Sequence, residues 1–133
     1  MSEANIATVQ SLYAAFGRGE IDTIINGCTS DVIWTSGGQE GDFPPFGTFK
    51  SQAGVRDFFR AVSDTLEFKE FSPREFYADR DKVFVLGRYA MVIKKTRRPV
   101  ASEWVHIFTF RGGRISEFLE FADTATFVAA YRA

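Results

Sequence analysis

Histidine and cysteine are almost missing from this chain of 133 residues: His106 and Cys28 stand alone. One thiol cannot close a disulfide within the chain, and one imidazole is too few for a familiar zinc site. Disulfide scaffolds and structural zinc modules are therefore excluded, and no metal site is expected. A basic surplus is also missing. Lys and Arg number 16 against 17 Asp and Glu, a net charge of −1, which leaves nothing to track a nucleic-acid backbone. No apolar run approaches the ~20 residues that span a bilayer. The opening residues Met1-Ser2-Glu3 carry neither a basic segment nor an apolar core, so the expectation is a cytoplasmic protein without a secretory signal. At about 150 residues per domain, residues 1–133 are expected to form one domain.

What the chain does have is aromatic side chains: 15 Phe, 4 Tyr and 2 Trp. A chain this small buries only about two-thirds of its unfolded surface. Large rings supply much apolar area per residue, so a Phe-rich core is one use for them. An aromatic-walled cavity and an apolar face between two copies are the others, and composition leaves all three open.

Periodicity orders the elements. Ile6, Val9, Tyr13 and Phe16 recur at helical spacing until Gly17 and Gly19 stop the pattern. A short second helix is expected with Ile21, Ile24, Ile25 and Cys28 on one side. Val32–Thr35 reads as a strand, and Gly37–Gly47 as a loop by its glycines and prolines. Ser51 is the expected N-cap of a third helix with the stripe Val55, Phe58, Phe59, Val62 and Leu66. From about residue 67 the period becomes two. Strands are expected over Glu67–Ala78, Val83–Lys94, Ala101–Phe110 and Arg114–Ala122, and Asp123 caps a last helix, Thr124–Tyr131. Pro73 marks the first of these strands as an edge or a bulge, and Gly112-Gly113 signals a hairpin. The class is α+β: helices followed by a curved antiparallel sheet that packs on them.

Alternation puts Trp104, His106, Phe108 and Phe110 on one face of their strand, and Phe118, Glu120 and Ala122 on one face of the next. A carboxylate beside an imidazole among aromatics is able to act as an acid/base pair, because desolvation and mutual charge move both pKa values. A purely structural histidine among rings fits the same pattern. Arg88 lies mid-strand. Pointing inward it needs a carboxylate such as Glu120 or Glu103, and pointing outward it is a solvated arginine. Arg97-Arg98 reads as a hairpin tip and Cys28 as core. Nucleophile elbows and phosphate loops are absent.

This order of elements resembles the nuclear transport factor 2-like superfamily, and within it the SnoaL-like group. The resemblance rests on Phe108-Thr109-Phe110-Arg111-Gly112-Gly113-Arg114-Ile115, followed by Glu117-Phe118-Leu119-Glu120-Phe121-Ala122-Asp123-Thr124. Tyr13-Ala14-Ala15-Phe16, Gly19-Glu20-Ile21-Asp22 and Gly47-Thr48-Phe49 add to it. It implies a cone-shaped α+β fold around an apolar pocket, a homodimer through the open sheet face, and a small apolar ligand. Ketosteroid isomerases in this superfamily carry a helix-one tyrosine, a general-base aspartate and a protonated aspartate. Those positions fall here on Leu12 (with Tyr13 next to it), Ser36 and His106, so the resemblance does not imply steroid isomerisation. One residue is about 100° round a helix, which bears on whether Tyr13 faces the pocket. Limonene epoxide hydrolase's final-strand acid falls on Glu120 and its arginine on Arg88, but its aspartate falls on Tyr89 or Ala90, so epoxide opening is not implied either. What carries over is the pocket: Trp34, Ser36, Arg88, Trp104, His106, Phe118 and Glu120. The expected chemistry is cofactor-free proton transfer with His106 as acid/base, Glu120 orienting it, and Tyr13 or Ser36 holding a carbonyl. Binding without turnover and self-association are the competing expectations. Gly37–Gly47 is open as a lid, a dimer contact or a connection.

Overall fold

The computed structural model describes residues 2–133; of the Met1-Ser2-Glu3 opening, Met1 lies outside them. Helix α1 (Ser2–Gly17) buries Val9, Leu12 and Ala15, with Tyr13 and Phe16 half-buried beside them. Its end is a left-handed turn at Gly19 (φ 73°). There Gly19 N donates to Phe16 O and Glu20 N to Ala15 O, satisfying carbonyls that the last helical turn leaves free. Helix α2 (Ile21–Asn26) follows at once and stops at Gly27.

Cys28 does not sit on α2 as its spacing suggested. It opens strand β1 (Cys28–Ser36), longer than the expected Val32–Thr35, and its buried thiol donates to Ile24 O. Cys28–Asp31 carries no alternation, so its strand character comes from pairing. A second short strand, β2 (Gly47–Lys50), was also hidden in the sequence because it is an edge strand whose residues are exposed or half-buried. Helix α3 (Ser51–Thr65) buries Val55, Phe58 and Val62 as the stripe predicts, but Leu66 already belongs to the next strand. The N-cap is Lys50, not Ser51. Ser51 is the first helical residue, at φ 69°, and its Oγ lies 3.5 Å from Gly54 N.

Strands β3 (Leu66–Asp79), β4 (Lys82–Ile93), β5 (Pro99–Arg111) and β6 (Arg114–Ala122) form the antiparallel run. The sheet has six strands in the order β2-β1-β6-β5-β4-β3, with β1 parallel to β6 and every other pair antiparallel. Pro73 lies on the edge strand next to a register irregularity, so it costs no ladder bond in the sheet interior. Helix α4 (Thr124–Arg132) closes the chain, with Asp123 accepting from Thr126 N at its start. The sheet is curved, and its inner face with α1, α3 and α4 encloses the core. No helix among the described residues is long and apolar enough to cross a membrane.

The loop between β1 and β2 is anchored at three points. Gly37 N donates to Glu120 O, Phe43 packs on Phe127 and Tyr131 of α4, and Asp42 pairs with Arg132. Phe43 and Phe46 are buried, which makes the loop part of the interior wall and more than a connection.

Candidate active site

Four strands and one helix each contribute a polar side chain to one spot on the inner face. His106 of β5 lies directly opposite Glu120 of β6, and Ser36 of β1 pairs with Glu120 from the other side. His106 Nε2 is 2.8 Å from Glu120 Oε2. Ser36 Oγ donates to Glu120 Oε1 at 3.0 Å, and Tyr89 Oη of β4 donates to Oε2 at 3.3 Å. From α1, Tyr13 Oη reaches His106 Nδ1 at 2.9 Å. The carboxylate can only accept, so the imidazole proton belongs on Nε2 and Nδ1 is free to accept the Tyr13 proton.

The imidazole is held on three sides. Trp104 stacks on its face with centroids 3.9 Å apart, Phe118 meets it edge-on at 4.9 Å, and Phe108 at 6.2 Å. Phe118 is itself stacked on Trp34 at 4.0 Å. Gly87 makes the Trp104 position possible. A Cβ there would stand 2.3 Å from Trp104 Cζ2 and 2.7 Å from Ser72 O, so only glycine lets the indole lie flat across β4.

Burial and charge set the protonation. Burial pushes the Glu120 pKa up, but the hydrogen bonds from His106, Ser36 and Tyr89 outweigh it and hold the carboxyl below its ordinary value. Tyr13 and Tyr89 are pushed well above the ordinary phenol value, by burial first and then by the Glu120 charge. Both phenols are therefore neutral proton donors near neutral pH. The Cys28 thiol is pushed up to about 12 by burial, so it is no nucleophile.

This polar group lies on the wall of a cavity of about 90 Å³, which is otherwise lined by apolar and aromatic side chains. Tyr13, Ser36, Tyr89, His106 and Glu120 are its hydroxyl, imidazole and carboxylate groups, and no Lys or Arg reaches it among the described residues. The half-buried rings of Phe16, Phe59, Phe68 and Phe71 make up one side, and Phe43 and Phe46 of the β1–β2 loop another. Among the described residues, no three His, Cys, Asp or Glu side chains gather at a spacing that could hold a metal ion.

The sequence-derived candidates divide. His106, Glu120, Tyr13, Ser36, Trp34 and Phe118 come together at the cavity. Tyr13 faces inward despite its offset from the isomerase tyrosine position, because α1 presents both Leu12 and Tyr13 to the cavity. Trp104 is not a wall residue; it lies behind the imidazole and supports it. Arg88 is the correction. Strand alternation places it on the opposite face from Tyr89, half exposed, 3.8 Å from Glu70 and 3.6 Å from Glu103, away from Glu120. Tyr89 was missed as a site residue, although it shares the β4 face of Val83, Val85 and Met91, which the period-two pattern marks as inward. Phe43 and Phe46 carry no such signal, because a loop has no period.

A curved α+β sheet and its helices around a mostly apolar cavity, with a His–Glu pair on the cavity wall, define the class of protein. The SnoaL-like domain family matches residues 9–118, and the chain belongs to that family. Solved structures agree. An NTF2-like protein from Burkholderia pseudomallei K96243 is 28% identical over 100% of both chains, with a TM-score of 0.90. Another from Burkholderia xenovorans LB400 is 26% identical over 98% of each chain, at 0.89. TerC, co-crystallised with polyporic acid, is 27% identical over 98% of this chain and 99% of its own, at 0.86. No curated protein sequence matches the chain.

Proposed function

We propose that residues 1–133 act as one cytoplasmic domain that binds a small, largely apolar, oxygen-bearing molecule in the cavity and rearranges it by acid/base chemistry: isomerisation, cyclisation or dehydration. The observation that carries this reading is the hydrogen-bonded chain Tyr13–His106–Glu120 on the wall of an otherwise apolar cavity. His106 moves the proton through Tyr13, which hydrogen-bonds the reacting oxygen, and Glu120 holds the ring in place and balances its charge. TerC, crystallised with polyporic acid, supports an organic ligand for this cavity shape. The cavity, about 90 Å³, is smaller than the roughly 150 Å³ that accepts benzene in an engineered apolar cavity. A ring-sized ligand therefore enters by rotation of the half-buried phenylalanines on its α1–α3–β3 side.

The test is hydrogen–deuterium exchange in D₂O next to the carbonyl of cyclohexanone and cyclohex-2-enone, followed by NMR. Wild type is expected to accelerate exchange over buffer. His106→Asn, with an unchanged circular dichroism spectrum, is expected to lose about 10²-fold or more of that acceleration. Tyr13→Phe provides a second, isosteric variant. Exchange at the buffer rate for all three, with the ketones still bound, would leave a binding protein without turnover.

On the outer sheet face, Ile33, Leu86, Leu119, Tyr77 and Phe121 are exposed. This face pairs with a second copy of the chain, forming a homodimer that leaves the cavity free.

A further inference from the structure

The hydrogen-bond directions at the site are overcommitted. His106 Nε2 serves Glu120 and Nδ1 serves Tyr13, so neither ring nitrogen has a free valence for an occupant of the cavity. The Ser36 and Tyr89 protons are both spent on the Glu120 carboxylate. Turning either one outward would strip a donor from a buried charge. Only the Tyr13 proton can turn to a ligand while the carboxylate keeps all its donors.

A carbonyl oxygen brings no proton, so it must take the one on Tyr13. Tyr13 Oη and His106 Nδ1 then face each other with lone pairs, which is repulsive until a proton from solvent joins Nδ1. Shifting the existing imidazole proton from Nε2 to Nδ1 only moves the clash to Glu120, which would then need the same extra proton. The count is fixed. The free site holds two protons, Tyr13 O–H to Nδ1 and Nε2–H to the carboxylate. The carbonyl-bound site holds three. A hydroxyl ligand differs, because it can donate to Tyr13 Oη while Tyr13 still donates to Nδ1.

We infer that the cavity takes a cyclic or aromatic carbonyl compound through Tyr13 Oη, and that this hydrogen bond is coupled to uptake of one proton by the His106–Glu120 pair. This rests on the reading of the cavity as a small-ligand site. The groups that face the imidazole are few. Tyr13 comes from α1, Tyr89 from β4 and Glu120 from β6; β1 adds the Ser36 hydroxyl, and β3 only the ring of Phe71. On its own strand the neighbours are Trp104 and Phe108. Among the described residues, no Lys or Arg lines the cavity to take over the proton's role.

Cyclohexanone and methylenecyclohexane test this as a pair, since they share a shape and differ by an acceptor oxygen. Calorimetry in two buffers of different ionisation enthalpy reads the protons taken up. The imidazole ¹⁵N resonances read where they go, without ambiguity, because His106 is the sole histidine. At pH values where the free site holds only its two protons, cyclohexanone is expected to bind with uptake approaching one proton, and its affinity to fall about tenfold per pH unit. Methylenecyclohexane is expected to bind without uptake and without that slope. Tyr13→Phe is expected to remove the proton uptake and roughly three- to tenfold of cyclohexanone's affinity, leaving methylenecyclohexane unchanged. Equal binding of both probes without uptake, or uptake that survives Tyr13→Phe, overturns the inference and leaves the cavity a ligand site. Binding of neither probe overturns the cavity reading as well.

Discussion

Glu120 Oε2 stands 2.8 Å from His106 Nε2 across the β5–β6 ladder, and this contact makes the fold acid-sensitive. The folded protein holds Glu120 below its ordinary value. As pH falls, the unfolded chain therefore takes up the proton first. The stability contributed by this group is complete above the ordinary carboxylate range and is lost as pH drops through the folded-state value. Glu120→Gln is expected to cost about 1–3 kcal/mol at neutral pH and to flatten the acid limb of a urea-midpoint-against-pH curve. A variant with the wild-type acid limb would place the sensitivity elsewhere.

Gly87→Ala puts a methyl group against Trp104, which is the shelf under His106. The expected cost is about 1–3 kcal/mol in chemical denaturation, together with a changed near-ultraviolet circular dichroism signal as the indole tilts. Ketone exchange should fall as well, since the imidazole loses its support. A silent Gly87→Ala would show that Trp104 has room to move.

Arg88→Ala separates the outer face from the inner one. The guanidinium pairs with Glu70 and Glu103 at long, partly solvated distances, so the stability change should stay within about 1 kcal/mol. Cyclohexanone affinity should not change. A loss of binding would return Arg88 to the site.

Phe121→Lys tests the sheet-face homodimer. Phe121 is 54% exposed, and it extends the row of Leu86 and Val105 across the outer face. Light scattering is expected to find a dimer for wild type and a monomer for the variant, with methylenecyclohexane binding retained. A wild-type monomer at all concentrations would remove the homodimer from the proposal.

Much of this site was legible as strand parity. Each strand residue's face is decided by its neighbours two positions away, so the grouping of His106 with Trp104 and Phe108, and of Glu120 with Phe118, follows from local alternation. The same parity left Arg88 undecided until β4 was seen to turn Val85, Gly87 and Tyr89 inward. The Schellman end of α1, the Pro73 edge strand and the Asp123 cap were equally local.

Register was not local. Gly112-Gly113, both at positive φ, make a two-residue turn that pairs Arg111 with Arg114 and Phe110 with Ile115. Continued evenly, that register would set His106 opposite Leu119. An irregularity next to Phe110 leaves Ser116 unpaired, so Thr109 meets Glu117 and His106 meets Glu120. A slip of one residue exchanges the faces of a strand, and burial of Phe118 with Trp34 and Phe108 selects the slipped register. The approach of Tyr13 to His106, 93 residues away, has the same origin. By itself the sequence determined which side chains share a face, because that depends on backbone geometry over a few residues. Which faces meet, and at what offset, was decided by packing of the whole aromatic core.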